Sequence, residues 1–300
     1  MEPFAALAPL PGRTQQRPFQ LGRVFYVDTY GTNVDDSGEG DDPNHPLQKI
    51  ATAIGKCEAN RGDFVFVNDV WSEDTEPIVV NKAKIHLIGI SVSPVPMFVV
   101  VTPTGDTAVF QIPTAGQHVE IAGFNIGGGA SRGGIQTQES PFGNWIHHNV
   151  FGHEFPGGET PAYGIESNDP PNGISHALIE DNIFYGEDGA ASFGKIDTNG
   201  MLMYGCKGLV LRRNRFIGIE GINVQITDAV KCIIEDNRFA IDGNTTGRAL
   251  TLIGCAGCWI DGNKAGFGKT DMAAVAYADD GSDNHWGTNA SGAEVATYPA

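Results

Sequence analysis

The sequence predicts an all-β chain, a single strand path wound into a parallel β-helix and closed at its N-terminal end by one α-helix. Two observations carry this. A phrase of an aliphatic residue, two polar residues, Asn, any residue and usually Phe returns along the chain. It reads Ile146-His147-His148-Asn149-Val150-Phe151, Ile179-Glu180-Asp181-Asn182-Ile183-Phe184, Leu211-Arg212-Arg213-Asn214-Arg215-Phe216, Ile234-Glu235-Asp236-Asn237-Arg238-Phe239 and, weakened, Ile260-Asp261-Gly262-Asn263-Lys264-Ala265. The Asn positions lie 33, 32, 23 and 26 residues apart. Such a period marks a solenoid or propeller. Its irregularity argues against helical repeats of fixed length and favours coils whose turns carry loops of any size. The 40 Gly and 17 Pro of the 300 residues suit many tight turns.

Coils of a β-helix stack at the strand spacing of about 4.8 Å. Equal positions of the phrase then lie above one another. Asn149, Asn182, Asn214, Asn237 and Asn263 are expected to form a side-chain amide ladder at a tight turn, and Asn tolerates the left-handed backbone such a turn needs. The Ile/Leu and Phe columns stack inside as core. The five Cys keep the same register: Cys206 and Cys255 each precede their Asn by eight residues, Cys232 and Cys258 by five. That is the behaviour of small buried hydrophobes, and Cys255-x-x-Cys258 without a second pair is a poor metal or redox motif.

In chain order, residues 1–22 are rich in Pro, Ala and Gln without periodicity and read as an extended arm. Residues 23–62 form an N-terminal cap of strand, acidic loop and helix. Val24-Phe25-Tyr26-Val27 is its strand. The loop that follows holds Asp35, Asp36, Asp41 and Asp42 among glycines, an oxygen density suited to Ca2+ though not at EF-hand spacing. Pro46 to Asn60 reads as the helix, with Ile50, Ala53, Ile54 and Cys57 on one face and Pro46 in the first turn. Its place is over the open end of the stack, where unpaired strand groups would otherwise recruit other chains. Coils are expected over 63–278, beginning at Phe64-Val65-Phe66-Val67, roughly nine in number and about 40 Å tall. Residues 279–300 read as a C-terminal cap or tail.

Strand-Asp-x-x-Gly-Thr-Asn at Asp28 to Asn33, the acidic loop, His45-Pro46-Leu47-x-x-Ile50-x-x-Ala53-Ile54 and Gly62-Asp63-x-Val65-x-Val67 resemble the opening of pectate-lyase-like right-handed β-helix proteins. The Asn coils extend the likeness to about residue 270. The resemblance implies a right-handed helix, but the fold serves polysaccharide lyases, hydrolases and phage virion proteins alike. Motifs of the family's enzymes are sparse. Asp279-Asp280 and Gly152-His153-Glu154 are present, but the Asn-Thr-Asp and Gly-His-Gly strings of polygalacturonase-like enzymes are not. Arg132 is the weak candidate for a lyase base. His147 and His148, adjacent on a strand, are expected to face opposite ways, which disfavours a ligand set with His153.

Stacking the phrases also sorts the charges. His147, Glu180, Arg212, Glu235 and Asp261 form one polar column; His148, Asp181, Arg213, Asp236 and Gly262 form the next. Each Arg falls between acids, which reads as cross-strand pairing, not catalysis. No catalytic residue is assigned. Trp145, Leu178, Val210, Ile233 and Trp259 precede the core Ile/Leu column and should face outward. A contiguous apolar column of that height is expected to be a subunit interface, and virion β-helices commonly associate as trimers. The net charge of −17 disfavours nucleic acid and anionic lipid; no stretch is apolar enough to span a membrane, and no secretory signal precedes the fold. The expectation is therefore a non-enzymatic bacteriophage virion protein of the capsid-decoration or short-spike kind. It would be homotrimeric and attached to capsid or tail proteins through its arm. The alternatives are a polysaccharide lyase or glycoside hydrolase, and an adhesin that binds surface polysaccharide without turnover.

Overall fold

The computed structural model describes residues 22–29, 31, 33–68, 77–90, 99–101, 106–128, 131–152, 161–167, 173–186, 196, 198–219, 221–240, 248–266, 276–291 and 294–295. The arm at 1–21, His153 and Asn244 lie outside these residues. The chain is a right-handed parallel β-helix with three sheets. Sheet A has ten strands, including Val24–Asp28, Phe64–Asn68, Trp145–His147, Leu178–Glu180, Val210–Arg212, Ile233–Glu235 and Trp259–Asp261. Sheet B has eight, among them Gly133–Thr137, Tyr163–Ser167, Asn199–Tyr204, Ile222–Thr227 and Arg248–Ile253. Sheet C has nine, among them Val150–Phe151, Ile183–Tyr185, Arg215–Ile217, Arg238–Ala240 and Lys264–Ala265. Each full coil runs A, C, B. The ten rungs of sheet A make a rod roughly 43 Å tall at the usual strand spacing.

Every phrase lies over the last. Ile146, Ile179, Leu211, Ile234 and Ile260 are partners on adjacent strands and fully buried. Phe151, Phe184, Phe216 and Phe239 stack nearly parallel, with centroids 4.6, 4.5 and 5.1 Å apart. The Asn side chains form a continuous ladder. The Nδ2 of Asn149 donates to Oδ1 of Asn182 at 3.2 Å, and the same bond links Asn182 to Asn214, Asn214 to Asn237 and Asn237 to Asn263 at 3.0–3.1 Å. It continues to Asn289, whose phrase has lost its aliphatic and Phe residues and could not be read from the pattern. Asn289 is buried. The left-handed residue of the turn is not Asn itself. It is the residue before, His148, Asp181, Arg213, Asp236 or Gly262, with φ between 53° and 67°. Asn instead uses its amide to satisfy the backbone that this turn exposes.

A second left-handed column stands at the corner preceding sheet A: His118, Gly143, His176, Gly208, Lys231 and Gly257. Bulky and glycine positions alternate. A Cβ on Gly143 would come within 2.4 Å of the His118 ring, so each glycine makes room for its neighbour's side chain.

The N-terminal helix is Ile50–Lys56, shorter than the spacing predicts. Pro46 is not in its first turn, because Leu47 pairs with Val27 as a strand residue and holds the preceding chain extended. Asp36 Oδ1 accepts from the N–H groups of Gln48 and Lys49 just ahead of the helix. Ile50, Ala53 and Ile54 pack on the first coils. Asp63 fastens this end. Its buried carboxylate takes both Arg61 nitrogens at 2.6 Å, the Arg23 N–H at 2.8 Å and the Glu58 N–H at 2.7 Å. At the other end Ala290–Ser291 and Glu294–Val295 pair antiparallel and finish sheet C.

Candidate functional site

Sheet A presents two outward columns. Trp145, Leu178, Val210, Ile233 and Trp259 stand in one register position. Trp145, Ile233 and Trp259 are 40, 37 and 46% exposed, and Leu178 and Val210 are half-buried. Phe142 and Val230, at the corner leading into the same sheet, are exposed beside them. The column continues past the phrase as Glu120, His86 and Phe64, where Phe64 and His86 stack at 4.2 Å.

The polar column behind it is a chain of contacts. Glu120 bridges His86 Nδ1 at 2.5 Å and His147 Nε2 at 2.8 Å. His147 stacks on Trp145, whose indole N–H donates to Glu180 at 2.9 Å. Arg212 bonds Glu180 at 2.8 Å and lies 4.0 Å from Glu235; Arg213 holds Asp181 at 2.7 Å and also reaches Glu180. Burial pushes the Glu180 carboxyl up, but Arg212, the Trp145 N–H and Arg213 outweigh it and hold it below its ordinary range. Glu180 and Asp181 are thus held in ion pairs with Arg212 and Arg213.

One expectation is corrected. His147 and His148 do not diverge; their Nδ1 atoms meet at 2.7 Å. The left-handed His148 breaks the strand's alternation and swings its ring back to the outer surface. In the acidic loop each of the four carboxylates has its own local partner. Asp35 accepts from Ser37, Asp36 from Gln48 and Lys49, Asp41 from Arg23, and Asp42 from Asn44 and His45. Local turns and the nearby strand take each one separately. Among the described residues no group of three His, Cys, Asp or Glu is placed to hold a metal. The five thiols are free and buried, and burial pushes those of Cys57 and Cys206 up to about 12.

Sequence reading missed Glu166, which stands on the outer face of sheet B yet is 4% exposed. Gly133 N–H and Gln136 Nε2 donate to its Oε1 at 3.0 and 2.9 Å. Burial raises its carboxyl above the ordinary range, and Asp106 adds to this against Arg132. Asp106 itself is held low by Ser131, whose hydroxyl and N–H both bond it. Tyr163 lies in the same environment, its phenol raised by burial and by Glu166. The two carboxyls are thus shifted in opposite directions, Glu166 up and Asp106 down. No motif marks Glu166; only the stacked register sets it above Gln136.

No protein-family model and no curated protein matches the chain. Solved structures that share the fold include the GH136 lacto-N-biosidase from Eubacterium ramulus, at TM-score 0.57 and 11% identity, covering 89% of this chain and 56% of that one. This chain thus spans little more than half of that enzyme's length. Pectate lyase Pel9A follows at TM-score 0.39 and 12% identity, covering 93% of this chain and 79% of that one. The Dettilon tailspike protein (gp208) follows at TM-score 0.36 and 12% identity, covering 89% and 69%. At these identities the likeness concerns the fold.

Proposed function

We propose that the chain is a structural β-helix of a bacteriophage particle, of the capsid-decoration or short-spike kind, that associates with two further copies of itself through the outer face of sheet A. The observation that carries this reading is the column of Trp145, Leu178, Val210, Ile233 and Trp259, whose two Trp and one Ile stand open to solvent. Exposed single hydrophobes are ordinary, but a contiguous stripe is the mark of an interface. The likeness of the opening motif and the Asn coils to pectate-lyase-like β-helices is compatible with a virion setting, since that fold includes phage virion proteins as well as enzymes. Attachment to capsid or tail through residues 1–22 belongs to the same proposal. Light scattering is expected to give about three chains per particle. Trp145→Asp with Trp259→Asp should yield folded monomers, with the circular dichroism of the parent. A parent that stays monomeric at high concentration removes the reading.

One observation favours a second reading, a glycan-cleaving enzyme: the buried, raised carboxyl of Glu166 beside the ionised Asp106. A general acid of that kind contributes about 10²–10⁴-fold to a rate. Release of reducing ends or of new double bonds from polysaccharides, lost by at least a hundredfold in Glu166→Gln, would establish it in place of the first.

A further inference from the structure

Sheet C carries an arrangement that neither reading uses. Arg215, Arg238 and Lys264 occupy one register position on three successive strands, all pointing outward and exposed. Like charges directly opposite on neighbouring strands repel and destabilise a sheet. The chain has 36 acids against 19 basic residues, and on sheet A it sets acids beside its arginines. On sheet C the described residues show no such pairing. None of the three cations has an ion pair among the described residues, although Asp236 lines the same hollow. The hollow measures about 350 Å³ and is also lined by Arg213, Arg215, Arg238, Gly262 and Lys264. A second one of about 240 Å³ lies on the other side of Arg215 and Arg238, against Ile217 and Ala240. Two residues further along the same strands, Ile217 and Ala240 face the same way and form an apolar ribbon beside the cationic one.

We infer that this face is a binding site for an anionic polysaccharide laid along the rod axis. The strand spacing fixes the cations in a straight, evenly spaced line of about 4.8 Å steps. A polymer of identical units offers oxyanions in an equally regular line, and the C–H faces of its rings suit the apolar ribbon. Guanidinium groups bind carboxylate or sulfate oxygens in pairs. An acidic peptide fits less well. The backbone groups of these strands are already bonded between coils, so the face has no edge on which a peptide strand could add. Duplex nucleic acid is opposed by the net charge of −17. Within the screening distance of about 8 Å at physiological salt, Arg213, Arg215, Arg238 and Lys264 outnumber Asp236, the acid that lines the same hollow. This site is independent of the proposed assembly face, which lies on sheet A.

The test uses the whole chain with dextran sulfate oligosaccharides, unmodified dextran and polyglutamate, followed by calorimetry across a salt series. Dextran sulfate should bind, weaken as salt rises, and lose at least tenfold in affinity in Arg215→Ala and in Arg238→Ala. Unmodified dextran should bind at least tenfold more weakly, and Arg248→Ala, an exposed cation on sheet B, should change nothing. Arg238→Glu gives a readout that does not depend on binding. It places an acid between two cations, so the melting temperature should rise while dextran sulfate binding disappears. Failure of dextran sulfate to bind, or binding that survives Arg215→Ala with Arg238→Ala, overturns the site. So does a melting temperature that falls in Arg238→Glu. Polyglutamate bound as tightly as dextran sulfate would hand the face to an acidic protein.

Discussion

Asn214→Ala is expected to destabilise the rod by roughly 3–5 kcal/mol, because it strands several buried groups at a cost of about 1–3 kcal/mol each. Asn214 is fully buried. Its Oδ1 accepts from the N–H and Nδ2 of Asn182, at 3.1 and 3.0 Å. Its Nδ2 donates to the carbonyls of Ile179 and Arg212 and to Oδ1 of Asn237. Alanine makes none of these bonds, and the turn beneath, with Asp181 at φ 54°, keeps its unpaired N–H at Asn182. The break falls in mid-ladder, where each coil is supported only by its neighbours. The urea transition should therefore move to lower midpoint and broaden as the two halves separate. A loss below about 1 kcal/mol would mean that the ladder follows from the stacking of Ile and Phe and adds little to it.

The second large effect belongs to Asp63→Ala, which leaves the Arg61 guanidinium, 11% exposed in its side chain, without its bidentate partner. Removing one member of a buried pair costs about 3–5 kcal/mol. The damage should be local. Hydrogen exchange is expected to quicken in Val24–Asp28 and in the helix Ile50–Lys56 while strands at Leu211 and Ile234 keep their protection. Acid should act at the same place. Burial pushes the Asp63 carboxyl up, but Arg61 and the two N–H groups outweigh it and hold it below its ordinary value of 3.8. A depressed carboxyl contributes stability above the unfolded pKa and loses it as pH falls through the folded one. The N-terminal end should thus open below about pH 4. The amide ladder has nothing to titrate and should hold. Uniform loss of protection along the rod would count against this clamp.

What the sequence made legible was whatever repeats. The Asn phrase marked the ladder, the inward Ile and Phe columns and the two charge columns, because vertical stacking turns spacing into contact. What does not repeat stayed hidden. Asn289 sits in a coil where Trp286 and Ser291 take the places of the aliphatic residue and the Phe, and only its hydrogen bond to Asn263 reveals it. Asp63 makes four bonds, three to Glu58 and Arg61 in its own segment and one to Arg23, 40 residues away, a set that no repeating pattern encodes. Glu166 is an ordinary acid in the chain and becomes unusual only when coils cover it. His148 shows how a single left-handed residue defeats an argument from strand alternation. The cation line of Arg215, Arg238 and Lys264 was present in the phrases, yet the position after Asn was read as variable and left unused.

The three corners of the coil differ in tolerance. Between sheets A and C two residues suffice in each of the five coils that carry the Asn phrase, as from His147 to Val150 and from Arg212 to Arg215. Between sheets C and B the gap runs from Ile217 to Ile222 in one coil and from Tyr185 to Asn199 in another. Foreign peptide spliced into that second corner should therefore be carried without cost to its host, and several such grafts could be displayed one above another at intervals of a single storey.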